Sequence, residues 1–122
     1  MSGADDTSVV SITDAARGLE RPFEPADLVN VNDAIVRIAA IEGEFPWHHH
    51  DEDELFMCWE GAFRIELEDR DPVELAAGEI LVVPRGVEHR PVAREEVHLL
   101  LIEPSGTPNT GDPATAAARR VI

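Results

Sequence analysis

Residues 44–61, EFPWHHHDEDELFMCWEG, place three of the chain's five histidines side by side and follow them with four acidic residues. Along an extended segment, successive side chains point to opposite faces. His48 and His50 therefore share one face, and His49 takes the other. A His-x-His pair in this setting delivers two imidazoles to one point, as chelation requires. DED (51–53) reads as a tight, solvated connection. Glu54 opens the next strand, and an antiparallel return would bring its carboxylate beside the two imidazoles. A fourth ligand has to come from far along the chain, and His89, in PRGVEH (84–89) just after a turn, is the candidate. The competing reading is a polar loop plus an unrelated histidine.

Composition narrows the choice of ligands and partners. At 122 residues and 43% apolar, the chain is one globular domain with room for a hydrophobic core. No run approaches ~18 consecutive apolar residues, so no membrane span is expected. MSGADDTSVV has neither a basic start nor a long apolar stretch, so no secretory signal is expected and the cytoplasm is the expected location. Cys58 is the only cysteine, which excludes an intramolecular disulfide and a thiolate-built zinc site. Any metal must be held by His, Asp or Glu. The formal net charge is −15 and every basic residue is arginine. A surface this negative repels phosphate backbones, so nucleic acid is not an expected partner.

Outward from the histidines, the chain reads as short strands. Ser11 or Thr13 caps a short helix over roughly 13–19, with Gly18 near its end. ERPFEPADL (20–28) is a loop. VNVNDAIVRIAAIEGEF (29–45) holds one or two strands. ELFMCWE (54–60) stops at Gly61, and AFRIELED (62–69) alternates apolar and charged. VELAAG (73–78) is short. EILVVP (79–84) is nearly continuous apolar sequence, expected of a strand buried on both faces. RGVEHRPV (85–92) contributes a turn and a short strand, and EVHLLLIEP (96–104) the last strong one. The tail from 105 is rich in Gly, Pro, Thr and Ala, with a final helical turn at 113–120. Many short strands with Gly and Pro turns make an all-β sandwich or barrel.

Two spaced patterns resemble the motifs of the cupin superfamily. His48-x-His50-x3-Glu54-x6-Gly61 is similar to the first, and Gly78-x5-Pro84-x-Gly86-x2-His89 to the second. The similarity covers roughly residues 31–103. Two positions depart from the pattern: Glu42 stands where the family usually has its leading Gly, and Ala93 where it often has Asn. The resemblance implies a double-stranded β-helix, a jelly-roll barrel over 29–104. An N-terminal arm with a short helix (1–28) would precede it, and an irregular C-terminal tail (105–122) would follow. It also implies one divalent metal, Fe, Mn, Ni, Co or Zn, on His48, His50, Glu54 and His89, with positions open to water or a small-molecule substrate. More narrowly, the chain resembles small bacterial cupins often labelled mannose-6-phosphate-isomerase-like. Those relatives imply a metal-dependent enzyme on a small polar molecule, of oxygenase or of sugar or keto-acid isomerase type. The alternative is a non-catalytic ligand-binding or sensing module. A homodimer is expected by the same analogy.

Within such a barrel Phe56 and Cys58 share the parity of Glu54 and face inward. Phe56 would shape an apolar pocket, and Cys58 reads as a small buried hydrophobe. Trp47, with Phe45, either walls the pocket mouth or packs between sheets. His98, on the last strand, either reaches the cavity or is structural. Trp47, Phe56, Cys58 and His98 are thus the candidate pocket residues. Arg64 and Glu66 read as a solvated face, with a role in substrate binding as the alternative.

Overall fold

The computed structural model describes residues 8–107 and the backbone of Arg120 and Val121. The polar start (1–7) and nearly all of the helical turn expected at 113–120 lie outside the described residues. The chain is mostly strand, as the sequence pattern requires. Helix α1 spans Ile12–Arg17; the Ser11 side chain accepts from the Asp14 backbone N–H at 3.2 Å, and Gly18 closes the C-terminus. This is the helix expected near 13–19, begun by Ser11 rather than Thr13. Strands β1 (Ala26–Val31) and β2 (Ala34–Glu44) form an antiparallel hairpin, so the loop expected to run to residue 28 ends earlier. Then come β3 (Glu54–Glu60), β4 (Ala62–Leu67), β5 (Val73–Ala76), β6 (Ile80–Val83), β7 (His89–Pro104) and β8 (Arg120–Val121).

β7 is one strand where the sequence suggested two. Its first part, His89–Val92, pairs with β4; its later part, from Val97, runs between β2 and β3. The two parts meet at a bulge. Opposite β2 the pairing jumps from Ile41↔Val97 to Gly43↔Ala93, which pushes the exposed Arg94, Glu95 and Glu96 out of the ladder. A bulge bends a strand without breaking it, and this bend carries β7 from one wall of the barrel to the other. Residues 93–95 look like a connection in sequence because Arg94 and Glu95 leave the ladder.

Strand parity sorts the core into two layers. Ala39, Ile41, Phe56, Cys58, Phe63, Ile65, Leu75, Val83, Leu99 and Leu101 fill the barrel interior. On the outside, α1 lays Ala15 and Ala16 over Ala26, Leu28, Ile38 and Leu100. β6 departs from expectation. Among the described elements it pairs only with β3, so it is an edge strand, and only one of its faces packs inward. Val83 is buried, whereas Ile80 and Val82 are 62% and 49% exposed. Its continuous apolar run comes from an apolar outer stripe, in which Val82 sits beside Leu55 and Leu55 beside Ile102.

Two of the three motif glycines, Gly61 and Gly78, differ in what surrounds them. Gly61 (φ +95) and Gly78 (φ +86) both adopt a backbone that L-residues reach only with strain. A Cβ at Gly61 would also lie 3.0 Å from Cγ2 of Val97, while one at Gly78 meets nothing within 4 Å. Gly78→Ala is expected to cost about 1–2 kcal/mol from backbone strain alone. Gly61→Ala should cost at least about 1 kcal/mol more through overpacking. Urea unfolding midpoints of the two variants check the order; equal losses would contradict it.

Candidate metal centre

The segment carrying the three histidines is not a regular strand. β2 ends at Glu44, and only His48 makes a bridge, to His89. Pro46 has no N–H to offer a ladder, so pairing stops there. The bridge itself is complete: His48 N–H donates to the His89 carbonyl at 3.0 Å, and His89 N–H to that of His48 at 2.8 Å. Gly86 N–H donates to the His50 carbonyl at 2.9 Å, and Arg85 N–H to the Asp53 carboxylate at 2.9 Å. The DED turn is thereby tied to the turn that precedes His89. Alternation survives the irregularity. His48 and His50 are buried, and His49 is exposed, with Nδ1 2.6 Å from Glu88.

His48, His50, Glu54 and His89 converge. Each offers one ligand atom, and the four atoms lie within 4.8 Å of one another. Metal–ligand bonds of about 2.1 Å put ligand atoms about 3–4 Å apart, so the spacing suits a single ion. The histidine tautomers support this. Nδ1 of His48 donates to the Pro46 carbonyl at 2.9 Å, and Nδ1 of His89 to the Val87 carbonyl at 2.8 Å. A carbonyl only accepts, so each Nδ1 carries the hydrogen and each neutral ring turns an Nε2 lone pair to the centre. His89 Nε2 and His50 Nε2 both stand 3.3 Å from Oε1 of Glu54. Lone pairs facing a carboxylate oxygen need a proton or a cation between them. Both ring nitrogens of His50 are buried and make no hydrogen bond among the described residues. The donor set therefore fits a divalent ion.

The local electrostatics follow from this crowding. Burial first and then the neighbouring His89 ring bring the His48 imidazole down to about 4, against the opposing Pro46 carbonyl. Burial pushes Glu54 up, but the His50 and His89 rings outweigh it. They hold the carboxyl well below the usual carboxylate range. At neutral pH the site presents a neutral imidazole and an ionised carboxylate, the protonation states of metal ligands.

A pocket of about 400 Å³, measured out to its open mouth, reaches this cluster. Among the described residues, His48 and Glu54 are its only ionisable lining residues; the rest are apolar, including Phe23, Ile41, Phe45, Phe56, Pro91 and Leu101. Phe23 holds a left-handed backbone (φ +64) and packs on Phe45 with ring centroids 5.0 Å apart. Phe45 in turn meets the edge of His48 at 5.1 Å. The strained Phe23, inside a segment expected to be a plain loop, left no signal in the sequence. Phe56 lines the pocket as expected, edge-on to His89.

Trp47, Cys58 and His98 do not line it. Trp47 turns outward and stacks under Arg90, 5.0 Å from guanidinium carbon to ring centroid. Cys58 lies deeper in the core, its Sγ–H donating to the Gly61 carbonyl at 3.3 Å, and burial followed by Glu79 pushes the thiol up. His98 has the outward parity of β7 and sits between Glu60 (3.1 Å) and Glu96 (3.4 Å). Arg64 and Glu66 also stay outside the pocket, in an ion-pair chain that runs from Arg64 through Glu66 and Arg90 to Glu44.

Against known proteins, a model of the cupin domain matches residues 34–103. The uncharacterized protein YdbB of Bacillus subtilis (strain 168) is 46% identical over 61 residues, which cover 49% of this chain and 54% of that protein. The match thus spans about half the length of the curated relative. Among solved structures, a cupin-2 domain containing protein from Shewanella frigidimarina is 38% identical with a TM-score of 0.75, covering 79% of this chain and 94% of that one. Hydroquinone 1,2-dioxygenase from Sphingomonas sp. TTNP3, solved with 4-hydroxybenzoate bound, is 14% identical with a TM-score of 0.72, covering 92% and 77%. At that identity the likeness is one of fold. Among the described residues no helix is long and apolar enough to cross a membrane.

His48 sets a pH dependence for the metal-free protein. Its folded pKa lies below its unfolded value of about 6.5, so the unfolded chain takes up the proton first. The associated stability is present above about pH 6.5 and is lost as pH falls towards 4; Glu54, also depressed, extends the loss below the usual carboxylate range. The His48 share is on the order of 3 kcal/mol. Urea midpoints of chelated protein at pH 7, 5.5 and 4 should fall in that order, with a shallower fall in His48→Gln.

Proposed function

The chain belongs to the cupin domain family, and from that premise we propose that it is a metal-dependent enzyme acting on a small, largely apolar organic molecule. His48, His50, Glu54 and His89 would hold one divalent ion, with Fe, Mn, Ni, Co and Zn all compatible with the donor set. The ion would supply a Lewis-acidic centre or a site of dioxygen activation, with positions left for a substrate oxygen. The observation that carries this reading is a contrast: four ligands meet at one point, two of them lining the pocket, and the pocket's other lining side chains are apolar.

That contrast separates the candidate chemistries. Isomerisation of a sugar or keto acid needs a general base and partners for several hydroxyls, and a sugar phosphate needs cationic groups. Among the described residues the pocket offers no arginine and no carboxylate or imidazole beyond His48 and Glu54, which are ligands. A phenol or similar flat molecule needs only the metal for its oxygen and Phe23, Phe45 and Phe56 for its ring. Oxygenase-type chemistry on such a molecule asks nothing more of the pocket walls. The hydroquinone dioxygenase with the same fold supplies a precedent for a phenolic ligand in this kind of barrel. The lack of a lining base also suits the second reading, a ligand-binding module around the same ion.

The native protein is expected to carry close to one divalent ion per chain, and His50→Ala to lose it while keeping its circular-dichroism spectrum. Cobalt-loaded protein should shift its visible bands on addition of 4-hydroxybenzoate but not of a hexose phosphate, and Phe56→Ala should weaken the phenol at least about five-fold. A stronger response to the sugar would overturn the substrate class. Oxygen uptake by the iron-loaded protein in the presence of a phenol separates the enzyme from the binding module.

A further inference from the structure

Among the described residues, ten of the eleven that line the pocket are buried, and Phe23 alone is half-buried. Phe23 therefore stands at the mouth, between solvent and the apolar interior. One ring separates it from the ligand cluster: Phe23 packs on Phe45 at 5.0 Å, and Phe45 meets the edge of His48 at 5.1 Å. A flat molecule with its oxygen at the cluster and its ring against Phe45 and Phe56 would point its far end at Phe23.

The backbone at Phe23 is unusual for its residue type. Three non-glycine residues among those described have a left-handed backbone, Phe23 (φ +64), Asn32 and Asp69. Asn32 and Asp69 sit on exposed turns and belong to the types that tolerate it. Phe23 does not. Glycine adopts this conformation freely, whereas a larger residue keeps it only where its surroundings over-determine it. Two contacts do so here. The Phe23 N–H donates to the Ala40 carbonyl at 2.7 Å, which pins the connection between α1 and β1 to β2, and the ring packs on Phe45. The connection is also stiff. Pro22 and Pro25 each fix their own φ and confine the residue before them to extended backbone. A side chain held this way makes a fixed wall. Glycine at 23 would relieve the strain and leave the mouth open.

We propose that Phe23 is the specificity-determining residue at the mouth of the pocket, setting how long a phenol-like molecule can be and still reach the ligand cluster. The role rests on the reading of the pocket as the seat of such a molecule around a bound metal ion. A one-ring molecule ends beside Phe23, where a small polar group opposite the phenol oxygen still meets solvent. A second ring in line with the first overlaps the Phe23 ring, and an apolar pocket rejects added length through that clash.

The test uses cobalt-loaded protein and two ligands with the same phenol and the same carboxylate, 4-hydroxybenzoate and the longer 4-(4-hydroxyphenyl)benzoate. The shift of the visible bands reports the affinity of each. Native protein is expected to bind the longer acid at least about ten-fold more weakly than the shorter. Phe23→Gly relieves the backbone and removes the ring; Phe23→Ala removes the ring alone. Both are expected to close the gap to within about three-fold. Ile65→Ala, in the interior but not lining the pocket, should lower the melting temperature and keep the native gap. Should neither Phe23 variant fold, Phe23→Leu, with its shorter side chain, is expected to narrow the gap about three-fold. An absent or reversed gap in native protein, or the native gap retained in whichever Phe23 variants fold, overturns the role of Phe23 and leaves the phenol reading standing. Cobalt-loaded native protein that responds to neither acid overturns that reading and the role with it.

Discussion

Two backbone hydrogen bonds between His48 and His89 hold the centre of this molecule together. They join an irregular segment, stripped of ladder partners by Pro46, to the first residue of the longest strand. Without them His48 and His50 would hang on a free loop, far in sequence from the third imidazole. With them, the alternation of an extended chain suffices to aim two rings inward and one outward. The same bridge sets the turns around it: the glycine turn before His89 docks on His50, and the DED turn docks on the glycine turn. Glu54 then enters at the start of β3, already on the inner face.

That geometry concentrates electron-pair donors in a place where they repel one another. The fold accepts this in part because two of the donors are restrained from behind. His48 and His89 are anchored through Nδ1 to carbonyls two residues back. The site is thus preorganised by its supports and not by attraction among its members. The apolar pocket above it raises the stakes, since charge in a dry cavity has little solvent to spread into. The outer surface follows another logic, with a net charge of −15 relieved locally by arginine ion pairs such as Arg90 with Glu66 and Glu44.

Most strands were legible because their signals are local. Alternation over 62–69 and the stop at Gly61 need no distant partner, and the structure has β3 and β4 where they point. Where the reading failed, the missing information was neighbourhood. A continuous apolar run such as EILVVP reads as buried on both faces, but β6 lies at an edge, and its outer face belongs to an apolar stripe left uncovered by the described residues. Residues 93–95 read as a break between two strands, but they belong to one strand, bulged at 94–96. Trp47 and His98 were candidates for the pocket on proximity or residue type, and outward parity removed both. Phe23 and Arg37 carried no expectation. The first gains its place from a left-handed backbone; the second is a lone charge in an apolar strand, a signal that was there to be noticed.

By itself, the sequence determined the class of the fold, the pairing of His48 with His50, the placing of Glu54 at a strand start and the choice of His89, because periodicity, turn chemistry and ligand chemistry act over a few residues. Only the tertiary structure decided that the four meet at one point, that the pocket above them is walled by Phe23, Phe45 and Phe56, and that Arg37 and Glu103 form a buried ion pair. Those facts depend on the register between strands far apart in the chain. A shift of one residue in that register would turn the same side chains to the other face.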